Sequence, residues 1–272
     1  AFEAAGLPPG VFNLVSGRGR SLGDRLATHP DVDMVSFTGS TTVGSMLGQK
    51  GLASLKRPHL ELGGKSPFVF LPGNENLEPA VKKLFDSIFL NAGQTCTALS
   101  RLLVPEAEFD RITKELLRQI PNYRTGDPTD AKTAVGPLSS LAQYRKVRSY
   151  LELGLEEGAT LLAGAVPPEE PETGYFIEPA IFTNVKNDMR IAREEIFGPV
   201  LCVLPYKTLD EAAAIANDTV YGLNAAVWGK KDEAVAMAKR IRAGNVYVND
   251  GPRDITAPFG GMKASGLGRE GG

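Results

Sequence analysis

The sequence predicts an α/β protein built on parallel sheet, and three observations carry that reading. Short apolar runs rich in Val, Ile, Leu and Phe alternate with amphipathic stretches of helical period along the whole chain. Gly, Pro, Ser and Thr fall at the joints between them, where turns and helix caps need these residues. The first third of the chain repeats strand, helix, strand, helix, strand at near-even intervals, the pattern of parallel strands joined by right-handed crossovers. On such a sheet, ligands sit at the carboxyl ends of the strands.

The elements follow in order. Ala1–Ala5 reads as the last turns of a helix ended by Gly6, with Pro8-Pro9-Gly10 behind it. A chain that opens inside a helix reads as part of a longer one. Val11–Val15 is a short β-type run. The loop holding Gly17, Gly19 and Gly23 leads into a helix ending near Thr28. Asp33–Phe37 is a strand, Thr38-Gly39-Ser40 a tight break, and a helix continues to about Gln49. His59–Leu62 is the third strand, and the best boundary falls at Gly63-Gly64. Beyond it, Phe68–Leu71 and Arg101–Val104 are strands, with Leu77–Leu90 and Glu108–Ile120 as helices. Thr125–Leu138 is a Gly/Pro/Asp-rich loop, Ser139–Glu157 a long amphipathic helix and Val166–Gly174 an exposed turn. Val200–Tyr206, Asn224–Trp228 and Asn245–Asn249 are strands. Thr208–Asn217 and Lys231–Arg242 are the helices between them, the second ended by Ala243-Gly244. No internal repeat or low-complexity tract interrupts the series.

Bulk properties exclude several function classes. At 272 residues, 42% hydrophobic and 23% charged, the chain can bury a sizeable core without staples. The net charge of −2, with both signs interspersed, gives no footprint for nucleic acid or an anionic membrane. No apolar run approaches the ~20 residues of a bilayer span. The two cysteines, Cys96 and Cys202, have no pairing spacing, which fits a reducing, cytoplasmic setting. With only His29 and His59, a histidine-rich metal site is excluded.

Five segments can carry chemistry, and each has an ordinary alternative. Cys96, in Asn91-Ala92-Gly93-Gln94-Thr95-Cys96, follows an apolar run and sits among small polar neighbours. That suits a nucleophile activated by amides of a following helix or by a nearby base, whereas most free cysteines are small core residues. Cys202, inside Val200-Leu201-Cys202-Val203-Leu204, is such a core residue. Glu61 closes a strand before two glycines. There it is either a general base or an exposed strand-end carboxylate. Gly39 and Ser40 open a helix, where free amides and the helix dipole favour a phosphate, or where Ser40 is simply an N-cap. Glu195 of Glu194-Glu195-Ile196-Phe197-Gly198-Pro199 is solvated or bonds a ligand hydroxyl pair beside the ring of Phe197. Pro258–Glu270 is Gly-rich and reads alone as a mobile surface loop.

Taken together and in this order, these segments resemble the aldehyde dehydrogenase superfamily. Phe-Thr-Gly-Ser at 37–40, Leu-Glu-Leu-Gly-Gly-Lys at 60–65, Gly-Gln-Thr-Cys at 93–96, Glu-Glu-Ile-Phe-Gly-Pro at 194–199 and Pro-Phe-Gly-Gly at 258–261 match its motifs. The resemblance spans the whole chain but only the C-terminal half of a family member. It implies part of a Rossmann-like parallel sheet plus a complete α/β catalytic domain. Residues 1–63 would be the incomplete end of the NAD(P)-binding domain, 64–264 the catalytic domain, and 265–272 a segment returning to the cofactor domain. It implies Cys96 as the nucleophile toward a small-molecule aldehyde and Glu61 as the base that activates the hydrolytic water. It places NAD or NADP against Gly19, Gly39, Ser40, Val43, Gly44, Leu62, Glu195 and Phe197, and Phe259 on the wall of the aldehyde pocket. The Cys96 amide would contribute to an oxyanion hole. Arg253 is a candidate contact for an acidic substrate. The carboxylate at 61 favours release of a carboxylic acid over acyl transfer to coenzyme A. The parent would be a homodimer or homotetramer, with the oligomerisation segments, the first cofactor strands and a second oxyanion donor outside this chain. On that reading the chain alone has little or no dehydrogenase activity. Two competing readings remain: a cofactor-independent thiol hydrolase, which lacks a Cys–His motif, and a non-catalytic protein on the same fold, which leaves Cys96 and Glu61 without a purpose.

Overall fold

The computed structural model describes residues 2–252 and 254–271; the readings made at Ala1 and Arg253 lie outside them. The described chain carries two sheets. The smaller has three strands in the order β1 (Met34–Thr38), β2 (Arg57–Glu61), β10 (Gly266–Leu267). β1 and β2 are parallel, with Phe37 beside Leu60 and Thr38 beside Glu61, and β10 returns antiparallel along Leu60 and Glu61. Helix α2 (Thr41–Leu52) makes the crossover between β1 and β2, and α1 (Gly19–Thr28) precedes β1.

The larger sheet holds seven strands in the order β5-β6-β7-β4-β3-β8-β9. These are β3 (Pro67–Phe70), β4 (Arg101–Pro105), β5 (Thr160–Ala163), β6 (Ala180–Thr183), β7 (Val200–Tyr206), β8 (Asn224–Trp228) and β9 (Asn245–Val248). All neighbours are parallel except β5 with β6. β3 explains why both faces are covered. Phe68 and Phe70 enter one core with α3 (Glu78–Ile88), α4 (Phe109–Gln119) and α5 (Leu141–Glu156). Val69 and Leu71 point the other way, into a core with α7 (Leu209–Asn217) and α8 (Lys231–Ala238). A strand buried on both faces reads as a continuous apolar run rather than an alternating one. A short helix, α6 (Arg190–Arg193), precedes β7.

Most predicted elements are found within two or three residues, and the exceptions have physical causes. Val11–Val15 forms no strand: Val11 and Phe12 lie in a bend, and Val11, Leu14 and Val15 are exposed. The residues before Gly6 form hydrogen-bonded turns rather than a helix, although Gly6 does take the left-handed conformation of a helix stop. The helix from Lys231 ends at Ala238, well before Arg242. β5, β6 and the two-residue β10 were not in the sequence reading. Cys96 lies in a turn before β4, so no helix follows it to lend its amides. The Gly-rich stretch after Pro258 is tied down rather than free. Phe259 and Glu270 exchange backbone hydrogen bonds of 2.6 and 2.7 Å, and the Leu62 amide donates to Ser265 O at 2.9 Å. At the other end of the preceding loop, the Asn249 side chain exchanges two hydrogen bonds of 2.9 Å with the Gly229 backbone.

Arg101, unremarkable in sequence, is fully buried and ties the linker before β3 to α7 and Asn187. Its guanidinium donates to Lys65 O at 2.9 Å, Ile215 O at 3.0 Å, Ala216 O at 3.0 Å and Asn187 Oδ1 at 3.3 Å. Arg101→Met should destabilise the fold by about 3 kcal/mol or more, because three buried carbonyls lose their donor. Urea denaturation measures this, and an unchanged midpoint would contradict it.

Candidate active site

The sheets meet at a cleft of about 500 Å³ lined by residues from both. It lies at the carboxyl ends of β1 and β2, where Thr38-Gly39-Ser40 and Glu61-Leu62-Gly63 emerge. For the smaller sheet this is the position expected of a parallel sheet. For the larger sheet it is the opposite end, since Cys96 and Glu195 precede β4 and β7. A larger groove of about 910 Å³, between the 125–128 and 165–178 segments, holds none of the predicted residues.

Cys96, Glu61, Gly39, Ser40, Leu62, Glu195 and Phe197 therefore share one wall-to-wall space, although they come from four separate parts of the sequence. Gly19, Val43, Gly44 and Phe259 do not line it. Val43 faces outward from α2, while Gly44 packs directly on the Leu62 side chain. Gln94, Gln143 and Lys146 do line it and were missed by the sequence reading. Gln143 and Lys146 look from sequence like ordinary polar positions on an amphipathic helix.

The Cys96 loop is held by unusual backbone. Asn91, Ala92 and Gly93 all take positive φ (51°, 55° and 74°), a run that costs roughly 1–2 kcal/mol at each non-glycine residue. Ser139 N–H bonds Gln94 Oε1 at 2.9 Å and Gln94 Nε2 bonds Asn91 O at 2.9 Å, which fixes the turn. Cys96 itself is half-buried. Burial pushes its thiol above the ordinary range, and the Glu195 carboxylate pushes it further, while the Cys96 and Thr97 amides pull it back. Burial and Glu195 thus favour the thiol form, and the two amides act on the sulfur in favour of the thiolate.

Glu61 is buried, and neither carboxylate oxygen has a hydrogen-bond partner among the described residues. Burial raises its pKa, with His59 and Arg269 acting against the rise and Glu270 with it. A carboxylate moved toward neutrality is a stronger base than one on the surface.

The paired glycines explain the closeness of the parts. A Cβ on Gly63 would lie 2.2 Å from Glu195 Oε2, and one on Gly64 would lie 2.7 Å from Cys96 O. Glu195 Oε1 instead accepts from the Gly64 amide at 3.1 Å. Ser265, fully buried, fixes the same linker by donating to Gly63 O at 2.7 Å and accepting from Gly222 N at 2.9 Å. Phe197 is presented by a left-handed backbone (φ 59°) that Gln143 Nε2 holds through Phe197 O at 2.7 Å. Opposite, Ser40 caps α2 by accepting from the Val43 amide at 3.4 Å. The helix N-terminus, the Glu195 carboxylate and the Phe197 ring so face one cleft, which fits the phosphate, ribose and ring of a dinucleotide.

Comparisons with known proteins show the family and the fold. Residues 1–272 match the aldehyde dehydrogenase family. A 3-succinoylsemialdehyde-pyridine dehydrogenase from a Pseudomonas species is 47% identical over 271 residues, covering 99% of this chain and 57% of that protein. Aldehyde dehydrogenase C from Pseudomonas syringae, solved with NAD+ and octanal, superposes with a TM-score of 0.95 at 45% identity, over 99% of this chain and 56% of that one. An NAD-dependent aldehyde dehydrogenase from Sinorhizobium meliloti also superposes at 0.95, with 44% identity over 100% of this chain and 54% of that one. The chain thus spans a little over half the length of the relatives it matches. Among its described residues no helix is long and apolar enough to cross a membrane.

Proposed function

The chain belongs to the aldehyde dehydrogenase family, and on that premise we propose that the full-length polypeptide carrying it oxidises a small aldehyde to a carboxylic acid with NAD or NADP. The observation that carries the proposal is the convergence of Cys96, Glu61 and Glu195 on one cleft at the mouth of α2. Gly39, Ser40 and the α2 N-terminus would hold the cofactor phosphates, Glu195 a ribose hydroxyl pair, and Phe197 the nicotinamide side. Bound there, the nicotinamide cofactor supplies the hydride acceptor. The P. syringae relative solved with NAD+ supports that chemistry.

The chain's own residues then divide the work. Cys96 Sγ, once its proton has passed to solvent, attacks the aldehyde carbon, and we assign the Cys96 amide to the charge that forms on oxygen. Loss of hydride leaves a thioester on Cys96. Glu61 takes a proton from a water that attacks this thioester, the C–S bond breaks, and the acid departs as the Cys96 thiolate is restored. We assign residues 1–63 to the cofactor domain, 64–264 to the catalytic domain and 265–272 to the return. A working thiolate suits the reducing cytoplasm. The full-length protein is assigned as a homo-oligomer.

The test is NAD(P)H production by the full-length protein across an aldehyde panel with both cofactors. Cys96→Ala should abolish both the first-turnover burst and steady-state turnover, while residues 1–272 alone should turn over far more slowly than the full chain. Retained activity in Cys96→Ala would overturn the assignment, and the hydrolase alternative predicts ester cleavage without cofactor.

A further inference from the structure

Glu61 is surrounded by groups that the chemistry above does not use. His59 lies two residues back on β2, on the same face of the strand, and is buried with its Nε2 lacking a hydrogen-bond partner. That nitrogen is 3.8 Å from Glu61 Oε1, whose two oxygens are equally unpartnered. Three buried polar atoms facing one another without bonds are costly, and a closure of under an ångström joins two of them. The other ring nitrogen, Nδ1, lies 3.3 Å from Ser36 Oγ on β1 and 3.5 Å from Glu270 Oε1 on the return segment. The imidazole ring itself rests on Gly268. Arg269, the remaining charged neighbour, is held by Gly261 O at 2.8 Å and by Gly268 O at 2.6 Å.

We propose that His59 is the positioning residue of the base, seating the Glu61 carboxylate through an Nε2–H whose tautomer is set by Ser36. A serine hydroxyl donating to Nδ1 leaves the ring proton on Nε2, facing Glu61. The hydrogen bond stabilises the ionised carboxylate against its burial, which is the form a general base must have. It also fixes where the carboxylate points, because β2 and β10 lock His59 and Glu61 on one rigid strand. No proton is transferred to the ring, and His59 touches neither substrate nor cofactor. This role rests on the reading of Glu61 as the hydrolytic base.

The experiment uses the full-length enzyme, comparing wild type with His59→Phe, His59→Gln and Ser36→Ala. Burst amplitude reports formation of the thioester, and steady-state turnover reports its hydrolysis. His59→Phe should keep the burst and lower steady-state turnover by about tenfold or more, the effect of losing a hydrogen bond to a charged group. The acid limb of its pH profile should move to higher pH, because the carboxylate loses a donor to its charged form. His59→Gln, whose amide still donates, should recover most of the rate. Ser36→Ala, at a more exposed position that the fold tolerates, should shift the acid limb in the same direction but less. If His59→Phe fails to fold, the Ser36→Ala profile decides. An unshifted acid limb in Ser36→Ala, or burst and steady state falling together in folded His59→Phe, would overturn the proposal. A wild-type enzyme with no burst would instead overturn the underlying dehydrogenase reading.

Discussion

Glu61→Gln in the full-length enzyme is expected to leave the first burst of NAD(P)H close to wild type and to slow steady-state turnover by about 10²–10⁴-fold. The reason is the division of labour in the cleft. Forming the thioester needs Cys96 and its amides, whereas breaking it needs a base for water, and the amide of Gln cannot take that proton. Glutamine is nearly isosteric, so the space beside Gly260 and His59 stays filled. The pH dependence gives a second reading of the same residue. Burial raises the Glu61 pKa, and only the ionised form acts as a base. Hydrolysis in the wild type should therefore increase with pH through a value above the ordinary carboxylate range of about 4.3. In Glu61→Gln that limb should vanish. Rapid-mixing absorbance of the burst and steady-state assays across pH measure both. Equal loss of burst and steady state would remove Glu61 from the hydrolytic role.

The second large effect is expected from Gly93→Ala, which should cost at least about 2 kcal/mol in stability and eliminate the burst. A Cβ there would lie 2.1 Å from the carbonyl carbon and oxygen of Gly198 and 2.5 Å from Pro199 N. These are backbone atoms, so no side chain can swing away to make room. The residue also needs φ 74°, which a β-carbon strains further. Relief requires the Cys96 turn and the Phe197-Gly198 segment to separate, and those are the two walls that present the thiol and the ring. Gly158→Ala is the control. It shares the positive φ, at 88°, but has nothing within 4 Å of its Cβ, so it reports the conformational cost alone. Urea midpoints and burst amplitudes of the two variants should differ sharply, and equal midpoints would discount the steric argument.

Much of the fold was legible because burial on both faces writes long apolar runs. Strands such as Val200–Tyr206 and Asn224–Trp228 were found almost residue for residue. The two-residue β10 was not, since it carries no period, and β5 and β6 were not although β3 and β9 are equally short. Val11–Val15 shows the reverse error, as β propensity without a neighbouring strand gives no strand. The site was legible where function imposes a local signature: a thiol in a polar turn, a carboxylate before two glycines, a capped helix after a strand. It was illegible where function depends on distance. Nothing in the sequence around Gln143 or Lys146 points to a cleft, and nothing around Ser265 shows that it holds the Gly63 linker from two hundred residues away. Glu195 was named over its neighbour Glu194 in the sequence, but the Gly64 amide that holds it is a fact of packing.

The clamps at either end of the 249–259 loop have a consequence for how such a protein can diversify. Asn249 is locked to Gly229 on one side, and Phe259 to Glu270 on the other. Between these two anchor points, insertions and replacements can accumulate without tugging on the strand that bears Glu61. A library randomised within 250–258 should accordingly yield many folded members with altered aldehyde preference. The same mutational load spread across 259–270 should yield mostly dead ones. Four hydrogen bonds thus divide a stretch that tolerates change from one tied to the strand that bears Glu61.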